Sequence, residues 1–255
     1  MPYCDRWVKC VARCLAVLLS SLWLSWAMPA LAVVDSQFEA QVLDVIRAHP
    51  EAILESVQRY EQQQQSQRQQ AQAAALRPYQ TNPRAIIGQS PVLGAPQRQI
   101  VLVEFSDFQC PYCARVHDTL QQFMTAHQRQ VTLVYKHYPL SQIHPQAIAA
   151  AKAAWAAGQQ GRFWDYHDRL FANQAQLGED LYIALARQLH LDEQRFNADR
   201  VSQRAAQAIQ SDMQLGDRLG IQGTPFFLMN GVPFAGAISL DELEARLAQF
   251  EGSTA

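Results

Sequence analysis

The sequence predicts an α/β protein with a central mixed sheet, in which a βαβ unit and a later ββα unit flank a helical insert. Ile100 to Phe105 and Val131 to Tyr135 are apolar runs rich in β-branched residues, which is typical of buried strands, and a helical pattern separates them. Strands joined through a crossover helix run parallel. Residues about 145–220 are helical in pattern throughout, and Asn230-Gly231 then predicts the turn of a hairpin between two short strands.

Two further helices complete this order of elements. The helix of the βαβ unit is expected from Cys110 to about His127, because Val116, Leu120 and Phe123 recur on one side. The last helix is expected from Asp241 to Phe250, where Ser239 and Glu242 have the spacing of a capping box.

Residues 1–32 predict a secretory signal peptide. Three basic residues precede a short apolar stretch, Leu15 to Trp26, and Ala30-Leu31-Ala32 is a small-x-small cleavage signal. We therefore expect the mature chain to begin at Val33, with an uncleaved membrane anchor as the alternative.

Removal of this leader changes both the charge and the cysteine content. The remaining chain has 18 Lys and Arg against 22 Asp and Glu, a net charge of −4, which argues against nucleic acid or an anionic membrane as a partner. Three of the five cysteines leave with the leader, so only Cys110 and Cys113 remain. Export, with the bacterial periplasm as the expected location, would place this pair where disulfides persist.

Residues 33–80 predict a helical extension that precedes the compact domain. Ser36 can cap a first helix, and Pro50 ends it and opens a second one. The glutamine-rich tract Gln62 to Gln70 is polar all round, so the second helix cannot be buried there. An oligomerising stalk and a plain or partly disordered spacer both fit this pattern. Prolines and glycines then indicate a linker over residues 81–89.

The compact domain is expected over residues 90–255. Its two cysteines belong to the motif Cys110-Pro111-Tyr112-Cys113, which lies at a strand-to-helix junction. A thiol at a helix N-terminus faces unpaired backbone N–H groups and the positive end of the helix dipole, which favour the thiolate. Cys110 is thus expected to form the mixed disulfide, and Cys113, one turn further in, to resolve it. Pro111 and Tyr112 are expected to influence how strongly the thiolate is stabilised.

Other uses of the two cysteines compete with redox chemistry. A structural Cys110–Cys113 disulfide would close too small a loop to stabilise much. Zinc could take Cys110, Cys113 and His117, but no fourth ligand is evident in the sequence. Copper capture by the two thiolates is a further alternative. We expect no metal and no cofactor beyond the redox-active disulfide.

Glu104 lies in the first strand, six residues before Cys110. A desolvated carboxyl group beneath the cysteines would have a raised pKa and could relay the proton of the resolving thiol. The alternatives are that Glu104 faces solvent or pairs with Lys136. Asp107 is expected to be a surface or turn residue, and the bond before Pro225 in Gly223-Thr224-Pro225 suits a cis peptide.

These motifs together resemble the exported DsbA-type thiol–disulfide oxidoreductases. The resemblance lies in Phe105 to Cys113 and Gly223 to Gly231, with Lys136 to Leu140 and Gly161 to His167 in support, and it covers about residues 90–250. It implies a thioredoxin-like fold in which the insert caps the active site.

The resemblance also implies roles for particular residues. The Thr224–Pro225 bond should be cis and packed against Cys110, where its backbone would meet an extended substrate. Glu104 matches the buried acid of the family. Pro111, Tyr112, Thr224 and Pro225 are accordingly the expected substrate-contacting residues, and Cys110, Cys113 and Glu104 the catalytic ones.

The predicted function is thiol–disulfide exchange on exported proteins, as a disulfide oxidase or isomerase. Cys-Pro-Tyr-Cys departs from the Cys-Pro-His-Cys of the strongest oxidases of the family, because Tyr112 supplies no positive charge. The expected partners are cysteine-containing exported proteins, a redox partner protein and a second copy joined through residues 36–77. The alternative is a stalk-oligomerised periplasmic holdase chaperone with secondary redox activity. We expect structural roles for His137, His144, His167 and the aromatic cluster Phe163, Trp164, Tyr166 and Phe171.

Overall fold

The computed structural model describes residues 36–95 and 100–251, so the predicted signal peptide lies outside the described residues. Among these residues, five strands form one mixed sheet in the order β1-β3-β2-β4-β5. The strands are β1 Val92–Gly94, β2 Ile100–Ser106, β3 Val131–His137, β4 Phe226–Met229 and β5 Val232–Ala235. β2 and β3 are parallel and the other pairs are antiparallel. The predicted βαβ–ββα order and mixed sheet are confirmed.

Helices occupy most of the remaining described chain. The bounds are α1 Ser36–Ala48, α2 Pro50–Thr81, α3 Pro111–His127, α4 Ala147–Gly158, α5 Phe163–Ala172, α6 Glu179–Gln188, α7 Glu193–Arg200, α8 Gln203–Arg218 and α9 Leu240–Glu251. Short 3-10 helices lie at Pro83–Ile86 and Gln174–Gln176. Helices α4–α8 form the predicted insert. The hairpin turns at Asn230 and Gly231, both with positive φ, as a two-residue turn of this kind requires.

The described chain divides into two compact units at Gln63 and Gln64, within α2. In the first unit, α1 contains no buried residue, and the part of α2 up to Gln63 is likewise unburied. The predicted helices and the break at Pro50 are confirmed there.

The second unit begins earlier than the sequence indicates. Leu76 of α2 is buried, and so are Ile86 and Ile87 in the segment predicted to be a linker. All three belong to a core cluster with apolar residues of β2 and β4. Burial of apolar side chains stabilises a fold, so residues 64–89 are packed as part of the compact unit and are not a free linker.

The two faces of the sheet have separate cores. Val101, Val103 and Phe105 of β2 pack with the cluster that contains Leu76. Alternate residues of a strand face opposite sides, and Leu102 packs instead with α3 and α9. Glu104 therefore lies on the α3 side, directly opposite Tyr135 of β3 and Phe227 of β4.

Candidate active site

Cys110 occupies the N-cap position of α3, immediately after the loop that follows β2. Its backbone is extended, with φ −72° and ψ 122°, and Pro111 is the first helical residue. Proline is favoured there because its missing N–H would have no intrahelical partner. Cys110 and Cys113 are free thiols in the structure, and Cys113 is fully buried whereas Cys110 is 3% exposed.

The Thr224–Pro225 segment lies against Cys110. The peptide bond between these residues is cis, as the family resemblance implied. Cys110 Sγ lies 3.3 Å from the Thr224 carbonyl oxygen, which accepts a hydrogen bond from the protonated thiol. The two motifs, separated by more than a hundred residues in the sequence, therefore meet at one sulfur atom.

The two thiols differ in acidity. The pKa of Cys110 is lowered to about 5, mainly by a hydrogen bond from Cys113. The backbone N–H groups of Tyr112 and Cys113 lower this pKa further, whereas burial of Cys110 opposes the decrease. Burial raises the pKa of Cys113, as do its hydrogen bond to Cys110 and the charge of Glu104. At neutral pH Cys110 is thus a thiolate and Cys113 a thiol.

Glu104 is buried on the same side of the sheet as α3. Burial raises its pKa to about 7, with a further contribution from the negative charge of Cys110. Its carboxyl group also acts electrostatically on Cys113 and on Tyr135. A group that changes charge near neutral pH next to a thiol is suited to proton transfer.

Neither alternative for Glu104 agrees with the structure. Glu104 is 2% exposed, so it does not face solvent. Lys136 pairs instead with Asp212 of α8, with Nζ 3.0 Å from Oδ1. Because alternate residues of β3 face opposite sides of the sheet, Tyr135 and not Lys136 lies next to Glu104.

An apolar groove lies beside the cysteine pair. It has a volume of about 490 Å³, and the half-exposed Tyr112 forms one side of it. Its lining comes from α3, from the loop before β4 and from the end of β5: Tyr112, Gln222, Thr224, Pro225, Phe226 and Ala235. Three of the four predicted substrate-contacting residues therefore line one groove, and Pro111 follows Cys110 next to it.

The loop before Cys110 is held by one local hydrogen bond and by contacts with distant segments that no local sequence pattern indicates. Asp107 is buried, which contradicts the prediction of a surface residue, although its position in a turn is confirmed. Its carboxylate accepts hydrogen bonds from the backbone N–H groups of Gln109 and Leu140 and lies 2.8 Å from His144 Nδ1. Gln174 of the insert donates to the Cys110 carbonyl oxygen. Only the tertiary fold shows these long-range partners.

His137, His144 and His167 contact protein side chains, and His117 does not join the two cysteines as a zinc alternative would require. Its imidazole faces α5, where it meets the His167 ring at a centroid distance of 5.2 Å and Asp168 at 3.7 Å. His137 is buried among aromatic residues. Phe163, Tyr166 and Phe171 belong to the core, with Trp164 packed partly buried against it.

Comparison with known proteins defines the class of this chain. Residues 87–249 match the thioredoxin family, and the chain belongs to that family. The crystal structure of a thioredoxin-like oxidoreductase from Silicibacter pomeroyi DSS-3 is 30% identical, with a TM-score of 0.60 over 65% of this chain and 94% of that chain.

Two further solved structures share the fold at lower identity. The thiol-disulfide exchange protein alpha-DsbA2 from Wolbachia pipientis is 19% identical, with a TM-score of 0.63 over 72% of this chain and 97% of that one. A linker-deletion mutant of Proteus mirabilis ScsC is 22% identical, with a TM-score of 0.62 over 89% of this chain and 100% of that one. The thioredoxin-like fold that the resemblance to DsbA-type proteins implied is thus confirmed.

A different kind of relative matches only in part. The Na(+)/H(+) antiporter NhaA 1 of Salinispora arenicola (strain CNS-205) is 36% identical over 154 residues, which are 60% of this chain and 24% of that protein. The chain thus spans about a quarter of the length of the curated relatives it matches. Within the described ranges, no helix has the length and apolar character needed to cross a membrane.

Proposed function

We propose that the protein catalyses thiol–disulfide exchange on cysteine-containing exported proteins, with Cys110 as the reacting sulfur. The observation that carries this proposal is the position of the Cys110 thiol, at the N-cap of α3 and 3.3 Å from the Thr224 carbonyl oxygen. A thiolate at a helix N-terminus is both a good nucleophile and a good leaving group.

Disulfide donation would proceed in two exchanges. A substrate thiolate attacks Cys110 of the Cys110–Cys113 disulfide, which forms a mixed disulfide and releases Cys113 as a thiolate that takes up a proton. A second substrate thiolate then attacks the substrate sulfur and releases Cys110 as a thiolate. The substrate loses two electrons and the cysteine pair gains them, and a redox partner protein restores the disulfide.

Glu104 would carry the proton of Cys113 in both directions. The pKa of Cys113 is raised by burial, so this sulfur needs a proton donor when it leaves and an acceptor when it attacks. Glu104, with its pKa near 7, can serve as either at neutral pH.

The groove beside Tyr112 would bind the substrate chain. Its lining is mainly apolar, and the Thr224 carbonyl at its edge is a backbone acceptor next to the reacting sulfur. An extended peptide with an apolar residue near its cysteine fits this arrangement, and such contacts would serve many unrelated exported proteins.

Trapping of the mixed disulfide tests the proposal. Reduced Cys113→Ser, mixed with a peptide carrying an activated disulfide, should accumulate a stable mixed disulfide at Cys110, whereas Cys110→Ser should form none under the same conditions. Equal trapping by the two variants would refute the assignment of Cys110.

A second proposed function concerns residues 36–63. Nine large apolar side chains of α1 and the first half of α2 are each at least 40% exposed: Phe38, Val42, Leu43, Val45, Ile46, Ile53, Leu54, Val57 and Tyr60. Apolar exposure on this scale marks interaction surfaces. We propose that two or more copies of the chain associate through this segment, and that this association favours disulfide reshuffling. We also propose that its apolar surface supports a holdase activity.

A matched experiment distinguishes the proposed role in disulfide reshuffling from the proposed holdase activity. Residues 33–255 and a version that begins at Gln64 should be compared in reactivation of a scrambled-disulfide substrate and in oxidation of a reduced one. Loss of reshuffling with retained oxidation would support assembly as the basis of isomerase activity, and equal activities would refute it. Prevention of aggregation by Cys110→Ser would support the holdase function.

A further inference from the structure

Three side chains with metal-binding donor atoms converge where α3 meets the helical insert. His117 of α3 and His167 and Asp168 of α5 each offer one donor atom within 4.8 Å of the other two. Asp168 Oδ1 lies 2.9 Å from His167 Nδ1 and 3.7 Å from His117 Nε2. Donors around one tetrahedral ion, at bonds of about 2.1 Å, are roughly 3.4 Å apart. Small side-chain shifts would therefore bring all three onto one ion.

Neighbouring rings hold the two imidazoles in place. The His117 ring stacks on Phe171 at a centroid distance of 5.0 Å, and the His167 ring meets Trp164 edge-on at the same distance. Both histidines are buried. Their rings are thus packed and oriented before any ion binds, so little side-chain freedom would be lost on binding.

The third donor opens to solvent. Asp168 is about half exposed at the side-chain level, and with His117 it lines a cavity of about 570 Å³ that also contacts Ala114, Asp118, Gln121 and Arg169. Three protein donors with an open side leave room for water or another ligand in the remaining position, as in open zinc sites.

We propose that His117, His167 and Asp168 form a binding site for a divalent transition-metal ion of the Zn²⁺ type. Two imidazole nitrogens and one carboxylate suit Zn²⁺ and its neighbours in the first row, whereas Mg²⁺ and Ca²⁺ take oxygen donors. The site contains neither Cys110 nor Cys113, so it is separate from thiol exchange. A bound ion would join α3, which begins at the cysteine pair, to α5 of the insert.

The test uses the mature chain with Cys110→Ser and Cys113→Ser, so that thiolates cannot bind the ion. Titration with Zn²⁺ against a chelating dye should show one bound ion per chain. Asp168→Asn, which preserves shape, should weaken the affinity at least about tenfold, and His117→Gln should do the same. Asp118→Asn is the matched control, because it removes the same charge from the same cavity and should leave the affinity within about threefold.

Two further readouts separate a metal site from a general charge effect. At one Zn²⁺ concentration, the melting temperature of the thiol-free protein and of its Asp118→Asn variant should rise by similar amounts, and that of Asp168→Asn by clearly less. With Cu²⁺ as the probe, electron paramagnetic resonance should show two coupled nitrogens, reduced to one in His117→Gln. Absence of a bound ion at 100 µM Zn²⁺, or equal losses in Asp168→Asn and Asp118→Asn, would overturn the proposal.

Discussion

Residues 36–63 and the compact unit after them use apolar side chains in opposite ways. In the first segment, α1 has no buried residue and its large apolar side chains face outward. In the compact unit, the same kinds of side chain fill clusters on both faces of the sheet, and the buried acid Glu104 lies among them near the thiols. The chemistry of the compact unit thus depends on burial, whereas residues 36–63 keep their large apolar side chains exposed.

The largest stability effect is expected from a matched pair of substitutions within α2. Leu76 is 3% exposed and Leu54 is 63% exposed. Leu76→Ala should lower the free energy of unfolding of the compact unit by about 2–5 kcal/mol, because it removes buried contacts and leaves a cavity. Leu54→Ala should change it by less than about 0.5 kcal/mol. Urea denaturation measures both, and equal losses would contradict the division of α2 at Gln64.

Glu104 provides a pH-dependent stability test of the buried site. Its pKa is raised from 4.5 to about 7 in the folded state, because the buried site favours the neutral carboxyl group over the carboxylate. The corresponding contribution to the free energy of unfolding is fully present below pH 4.5 and is lost as the pH rises through 7. Glu104→Gln should therefore have a higher free energy of unfolding than wild type at pH 8, by up to about 3 kcal/mol, with no difference at pH 4. Urea denaturation at the two pH values measures this. A Glu104→Gln variant that is less stable than wild type at pH 8 would contradict this account.

The same substitution should slow the resolving step. In wild type, the rate at which Cys113 resolves a mixed disulfide at Cys110 should rise through pH 7, as Glu104 becomes a proton acceptor. Glu104→Gln should be slower by at least about tenfold at pH 8 and should lack this midpoint. Single-turnover release of a fluorescent thiol reports the rate. A midpoint near pH 7 that persists in the variant would exclude Glu104 as its origin.

The smallest effect is expected from removal of the N-terminal segment. A chain that begins at Gln64 retains Leu76 and the packed part of α2, so its rate of exchange with a small disulfide should stay within about twofold of the rate for residues 33–255. The self-association proposed for residues 36–63, measured by analytical ultracentrifugation, should be lost in it. A large fall in the exchange rate would show that residues 36–63 contribute to the thiol site itself.

The sequence was informative where a signal is local. Alternation and β-branched runs predicted the strands, Asn230-Gly231 predicted the hairpin, and Pro50 predicted the break between α1 and α2. The spacing of Cys110 and Cys113 at a strand-to-helix junction predicted which thiol lies at the N-cap. Each of these inferences depends on neighbours within a few residues.

Other features depend on distant contacts that no short pattern contains. Burial of Leu76 and Ile86 requires the cluster made by β2 and β4, so the sequence pattern places the start of the compact unit too late in the chain. Asp107 looked like a surface residue because its partner Leu140 follows the next strand. His117 and His167 lie on different helices and meet only through the fold.

Site-resolved alkylation of the reduced protein tests the central claim most directly. Wild type would be treated with limiting iodoacetamide between pH 4 and 9, and the label at Cys110 and at Cys113 quantified by mass spectrometry. The pKa of Cys110 is about 5 and that of Cys113 is raised, so Cys110 alone should be labelled, with a half-maximal rate near pH 5 and little change above pH 7. Labelling shared equally by the two cysteines, or a Cys110 rate that rises only above pH 8, would contradict the assignment of Cys110 as the reacting thiolate.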